Sequence, residues 1–235
     1  MDSTRQTDVI RAEGAGLERV RDTLVREARI VVRLDGRDVL DAICTPGDER
    51  ELAVGHLVSE GWLASVQDVV SVSVDAALSE VSVRRRGSAP PGELGKVTTT
   101  YETSRSRVAE AAERAEIRPS LFAATGGAHT AAVCPAEGSD VVAEDISRAC
   151  ALDKAFGKAL LGGVDVGRSI LFLTSRVPRR FIQKVARVGI PIVAAVSAPT
   201  YEAVEEAERL GICLCGFVRP GRMNVYSQGW RIGVR

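Results

Sequence analysis

Apolar positions recur with two different periods along this chain, and the change of period divides it. Residues 29–44, RIVVRLDGRDVLDAIC, alternate about an Asp-Gly pair and predict two strands joined by a tight hairpin turn. The next stretch, TPGDERELAVGHLVSEGWL, predicts a helix. Thr45 is placed to cap it, Asp48 and Glu49 favour its first turn, Leu52, Val54, Leu57 and Val58 form its apolar stripe, and Gly61 ends it. Residues 69–74, VVSVSV, and 79–84, SEVSVR, alternate like half-buried strands. Residues 84–100, RRRGSAPPGELGKVTTT, break every period and read as a loop or linker.

Beyond the linker the strands become continuously apolar and alternate with helices. Helices are predicted over 105–116, 147–161, 178–189 and 198–211, the last two closed by glycine. Strands are predicted at 130–134, 140–143, 169–174, 191–197 and 212–218. Fully apolar strands between helices imply a parallel sheet covered on both faces. The expected architecture is α/β, or α+β overall. An extension (1–27) precedes a small β-rich domain with its linker (28–100), and an α/β domain follows (101–235).

Composition narrows the function classes. With 31 basic and 31 acidic residues the formal net charge is +0, which argues against a nucleic-acid binder. No apolar run reaches the length of a membrane span, and the first twenty residues lack the apolar core of a signal peptide. Five cysteines, an odd number with no C-x-x-C pair, suit reduced thiols in the cytoplasm. No structural metal is expected, because His129 and His56 have no obvious metal partners in the pattern.

Candidate chemistry clusters where strands end, which is where open α/β sheets bind ligands. Cys213 and Cys215 share one face of a buried strand and read as core. The same strand then runs through Phe217 and Val218 to Arg219, Pro220, Gly221 and Arg222. Two guanidinium forks about a Pro-Gly turn can clamp a phosphate or a purine edge. Thr125, Gly126, Gly127 and His129 form a tight turn whose backbone N–H groups can cradle an anion. Ser197 and Thr200 open a helix after a buried strand. Glu144, Asp145, Arg148, Asp153 and Lys154 surround another strand-to-helix joint.

Taken together, TPGDERELAVGHLVSEGWL, TGGAHTAAV, AEDISRACALDKAFG, QKVARVGIPIVAAVSAPT and GFVRPGRMNVYS resemble the formate dehydrogenase accessory sulfurtransferase family, the FdhD family, in the family's order. The resemblance implies a β-rich N-terminal domain, a cytidine-deaminase-like α/β domain, and a cytoplasmic homodimer. It implies sulfur taken from a cysteine desulfurase as a persulfide and passed to the molybdenum bis(molybdopterin guanine dinucleotide) cofactor of a formate dehydrogenase. It also implies that guanine nucleotide or cofactor is held partly by the segment matching Phe217–Arg222.

The chain departs from the family at its thiols. The family carries a C-G-x-C-G loop between its domains, where the persulfide forms; here that region reads KVTTTYETSRSRVAE. The usual Gly, His and Asn of the E-D-x-G-R-H-N-A-x-D-K stretch are Ser147, Ala149 and Cys150, and the usual S-G-R strand end is Thr174, Ser175, Arg176. Two cysteines are candidates for relocated sulfur chemistry. Cys150 sits at a predicted helix start between Arg148 and Lys154, charges that favour a thiolate, and Cys134 sits at a strand end where it could be exposed. The alternative is a cofactor or guanine-nucleotide binding protein without a persulfide step. A zinc deaminase is excluded, because it needs H-x-E and P-C-x-x-C while His129 is followed by Thr130 and Ala131.

Overall fold

A computed structural model describes residues 2–77, 79–87, 93–117 and 120–234. The extension before residue 28 is an ordered hairpin: β1 (Thr4–Glu13) and β2 (Gly16–Val25) pair antiparallel at ten positions, from Thr4↔Val25 to Glu13↔Gly16. Only Val9, Val20 and their neighbours near the base are half-covered, so the alternation that betrays a strand by its buried face is nearly absent.

The first half builds a four-stranded sheet. β3 (Ala28–Leu34) and β4 (Arg37–Cys44) turn through Asp35 and Gly36, both at positive φ (51° and 81°), as a two-residue hairpin on twisted strands requires. β5 (Val69–Asp75) and β6 (Glu80–Arg85) complete the order β4-β3-β6-β5, with β6 parallel to β3. Helix α1 (Glu49–Ser59) covers this sheet with Leu52, Leu57 and Val58 on Ile30, Val32, Val81 and Val83. The helix starts later than Thr45, at Asp48, whose left-handed backbone makes no side-chain cap. Thr45 instead accepts the Ile146 N–H at 3.0 Å, drawn away by a strand a hundred residues later. The consecutive prolines of the linker lie outside the described residues.

The second half holds α2 (Arg105–Ile117), α3 (Ser120–Thr125), β7 (His129–Pro135), β8 (Val141–Asp145), α4 (Arg148–Leu161), β9 (Ser169–Leu173), α5 (Arg179–Val188), β10 (Ile192–Ala195), α6 (Tyr201–Leu210), β11 (Cys213–Arg219) and β12 (Arg222–Ser227). The six strands lie in the order β12-β11-β10-β9-β7-β8. The expected parallel sheet is realised only by β9, β10 and β11; β7, β8 and β12 run antiparallel to their neighbours. Connection length is the reason. Residues 136–140 and the Pro220–Gly221 turn are too short for the crossover a parallel return needs. Both faces are covered as predicted: α4, α5 and α6 on one, α2 on the other.

Helices α1 and α4 join the two halves by crossing backbone to backbone. A Cβ on Gly55 would collide with the Asp153 carbonyl, and one on Gly157 with the Glu51 carbonyl. Among the described residues no helix is long and apolar enough to cross a membrane.

Candidate functional site

Strand direction gathers the candidate residues. The carboxyl ends of β9, β10 and β11 share one sheet edge. Because β7 is antiparallel to β9, and β8 to β7, the start of β7 and the end of β8 reach that edge too, with His129 opposite Asp145. A cleft of about 580 Å³ opens there, lined by Glu116, Phe122, Gly126, Gly127, Ala128, His129, Thr130, Thr174 and Val196. Gly126, at φ 65°, turns the chain into it. Thr125 Oγ1 donates to the Leu121 carbonyl and accepts the Gly127 N–H, which fixes the turn. Burial and the nearby Arg148 charge hold the His129 pKa below its ordinary value, so the ring is a neutral acceptor or donor near pH 7.

The Phe217–Arg222 segment is built for exposure. Gly216 packs so closely on Pro199 and the Ser197 carbonyl that a Cβ would lie 3.0 Å and 3.2 Å from them. The chain then bulges, with Phe217 in the left-handed region at φ 52°, and its ring is 38% exposed despite its size. Arg219 Nη1 donates to the carbonyls of Val196 (3.1 Å) and Val218 (2.7 Å), which orients the guanidinium across the strand ends. Pro220, Gly221 and Arg222 are exposed, while Val218 is buried in the core. Among the described residues, Arg148, Arg176, Arg219 and Arg222 have no carboxylate partner, and Arg148 rests its guanidinium 5.9 Å over the Phe181 ring. These guanidiniums bring positive charge to the strand ends, with Glu116 on the wall of the cleft.

Several of the candidate residues make structural contacts. Glu144 is spent on the start of α3, accepting the N–H groups of Leu121 (2.9 Å) and Phe122 (2.7 Å). Asp145 and Lys154 are a fully buried pair at 2.7 Å; Asp145 also accepts from Thr45 and Ser147, and Lys154 also donates to the Thr45 carbonyl. Burial pushes the Asp145 carboxyl up, against Lys154 and those N–H groups. Asp153 meets His56 Nδ1 (3.1 Å) and Ser59 of α1 and Lys184 of α5 (2.7 Å). Asp153 and Lys154 are buried on α4, and Asp145 ends β8. Thr200 caps α6 by accepting the Ala203 N–H, as its position predicts, and Ser197 supports Phe217 through its carbonyl, which accepts the Phe217 N–H.

Both candidate thiols are buried. Cys150 is buried, its Sγ against the Ile43 carbonyl, and burial raises its pKa to about 11 in spite of Ser147 and Lys154. Cys134 is buried against α2 rather than exposed at the strand end, with its pKa raised to about 12. Cys44 is pushed to about 12, again chiefly by burial, and Cys213 and Cys215 lie in the core as predicted. Burial thus favours the neutral thiol of Cys150 over the thiolate. Among the described residues no three His, Cys, Asp or Glu side chains are grouped to hold a metal ion.

The segment that carries no cysteine is pinned as an extended strap. The Arg231 guanidinium, buried and stacked on Trp230, donates to the carbonyls of Val97, Thr99, Tyr101 and Gly211. Thr103 N–H returns a bond to the Arg231 carbonyl. Sequence reasoning missed Arg231, Thr130 and Val196; they have no local signature, since their partners are remote in the chain.

Comparison with known proteins agrees with this frame. The FdhD/NarQ family model matches residues 25–104 and 88–233. A sulfur carrier protein FdhD from Bacillus subtilis is 32% identical over 259 residues, covering 97% of each chain. One from Anaeromyxobacter dehalogenans is 34% identical over 270 residues, covering 96% of this chain and 92% of that one. A solved structure from Desulfotalea psychrophila, described as a formate dehydrogenase accessory protein, superposes with a TM-score of 0.86 at 22% identity, over 98% of this chain and all of that one.

Proposed function

This chain belongs to the FdhD/NarQ family, and from that premise we propose that it serves formate dehydrogenase maturation as a binding protein for the guanine-dinucleotide form of the molybdenum cofactor, without carrying sulfur on a cysteine of its own. One observation carries the proposal: Arg219, bonded to the Val196 carbonyl, and an exposed, left-handed Phe217 stand where the strands end, while all five cysteines are buried. The residues suit such a ligand chemically. Arg219, Arg222 and Arg176 offer forked donors to phosphate oxygens, Phe217 offers a face for a purine, and His129 with Thr130 and Thr174 offers neutral polar groups in the cleft. The cofactor itself would supply the metal chemistry; the chain binds and orients it.

On this reading the protein works as a homodimer in the cytoplasm, beside a formate dehydrogenase. Contact with a cysteine desulfurase falls to whichever protein supplies the missing thiol. Relatives bear the name sulfur carrier, so sulfur loading is the discriminating test. The protein is incubated with a cysteine desulfurase and cysteine, alkylated, and read by peptide mass spectrometry, in parallel with titration by guanosine diphosphate. Nucleotide binding with no persulfide on any cysteine is the expected result. A persulfide on Cys150 or Cys134, abolished by serine at that position, would return the protein to the sulfur carriers.

A further inference from the structure

A second cationic cleft lies away from the sheet edge, between α5, α6 and the end of α1. Its volume is about 660 Å³. Arg179, Arg180 and Arg187 of α5 and Arg209 of α6 line it, over Glu60 and Glu206. The charges are layered. Glu206 is 4% exposed and Glu60 18%, whereas Arg179, Arg180 and Arg209 are 58%, 69% and 53% exposed. Glu206 is shared by Arg179, Arg209 and Gln183, and Glu60 by Arg180 and Lys184. Lys184 is answered by Asp153 beneath. That leaves four guanidiniums against two carboxylates. Arg187, laid over Gly61, has no ion-pair partner among the described residues. The floor is acidic and spent; the walls are basic and keep free donors.

We propose that this cleft docks a short acidic peptide segment of a partner protein. Three features select that occupant. The chain as a whole is neutral, so the excess is local rather than a general basicity. Positions 179, 183 and 187 form one stripe down α5, about 12 Å long at 1.5 Å per residue, which matches three or four residues of extended chain and exceeds one phosphate. Among the described residues no aromatic side chain lines the cleft and Leu94 is its one apolar wall, so they offer no platform for a nucleobase.

The test is fluorescence anisotropy of labelled hexaglutamate on the full-length protein, with hexaglutamine as the neutral control. Hexaglutamate alone should bind, with affinity falling steeply as salt rises, and Arg180→Gln/Arg187→Gln should weaken it at least tenfold while guanosine diphosphate affinity is unchanged. Glu60 keeps Lys184 in that variant; if its circular dichroism shows misfolding, the exposed Arg179→Gln carries the same test. Equal binding by the folded variants would overturn the proposal. So would displacement of the peptide by guanosine diphosphate, which would place it at the sheet edge, or tighter binding of pyrophosphate than of the peptide, which would make the cleft a small-anion site.

Discussion

Phe217 shows at the scale of one residue what the candidate site costs. A non-glycine side chain at φ 52° carries backbone strain of about 1 kcal/mol or more. Phe217 is 38% exposed, so the larger part of the side chain is covered and its packing offsets some of that strain. Phe217→Gly should weaken guanosine diphosphate binding while changing unfolding stability by no more than about 1 kcal/mol, read by urea denaturation and calorimetry on the same sample. A larger loss of stability would mean the ring is chiefly a packing element. The thiols offer the opposite check: Cys150 and Cys134 should resist iodoacetamide in the native protein at pH 7 and react only on unfolding, followed by intact mass. Their burial was not legible in the sequence for one reason. Arg148 and Lys154 flank Cys150 in sequence and suggest an electropositive thiol, but the contact that buries it comes from Ile43, 107 residues away. Short-range charge is legible along a chain, whereas long-range burial is not. The glycine turns at strand ends were legible because their meaning is local: Gly126 and Gly221 adopt positive φ and turn the chain where the strands stop.

Elements were legible where a cap or a period is local and no remote partner competes for it, as Ile146 does for Thr45. Ser147, Thr200, Gly189 and Gly211 stand where capping chemistry puts them. Strand direction was not, because it depends on which strand each one meets. The crossing of α1 and α4 was hidden too, since Gly55 and Gly157 look like mild helix defects until they face one another. Gly157→Ala should overpack that crossing against the Glu51 carbonyl and cost about 1–3 kcal/mol, measured as a shift of the urea midpoint. The strap makes a second prediction at this scale. Arg231→Met keeps bulk but strands the carbonyls of Val97, Thr99, Tyr101 and Gly211. Stability should fall by at least about 2 kcal/mol, and amide exchange should quicken first at Val97 and Thr103. Exchange that quickens uniformly along the chain would deny the strap a separate identity.

For the whole molecule, the notable fact is where its balanced charge sits. Carboxylates are drawn inward and guanidiniums outward, at the sheet edge and at the α5–α6 cleft, so a neutral chain presents two cationic surfaces. The buried acids then tie folding to pH. Burial pushes Asp153 up, but Lys184 and His56 outweigh it and its pKa lies below the ordinary value. Glu206, bonded to Arg209, sits at about 2. A carboxylate whose folded pKa is depressed stabilises fully above its unfolded value, and that stability is lost as pH falls through the folded one. Asp145 acts in the other sense: raised by burial, it favours the fold below its ordinary value and loses that contribution as pH rises through its folded pKa. The lysine under the cleft separates these effects. Lys184→Met should cost about 3–5 kcal/mol at pH 7, because Asp153 is left buried beside His56 and Ser59 alone. Measured by denaturant unfolding from pH 7 downward, the gap between the two proteins should narrow below the ordinary carboxylate range, where protonation of Asp153 removes what the lysine answers. A gap that stays constant with pH would mean the lysine acts through its packed stem rather than its charge.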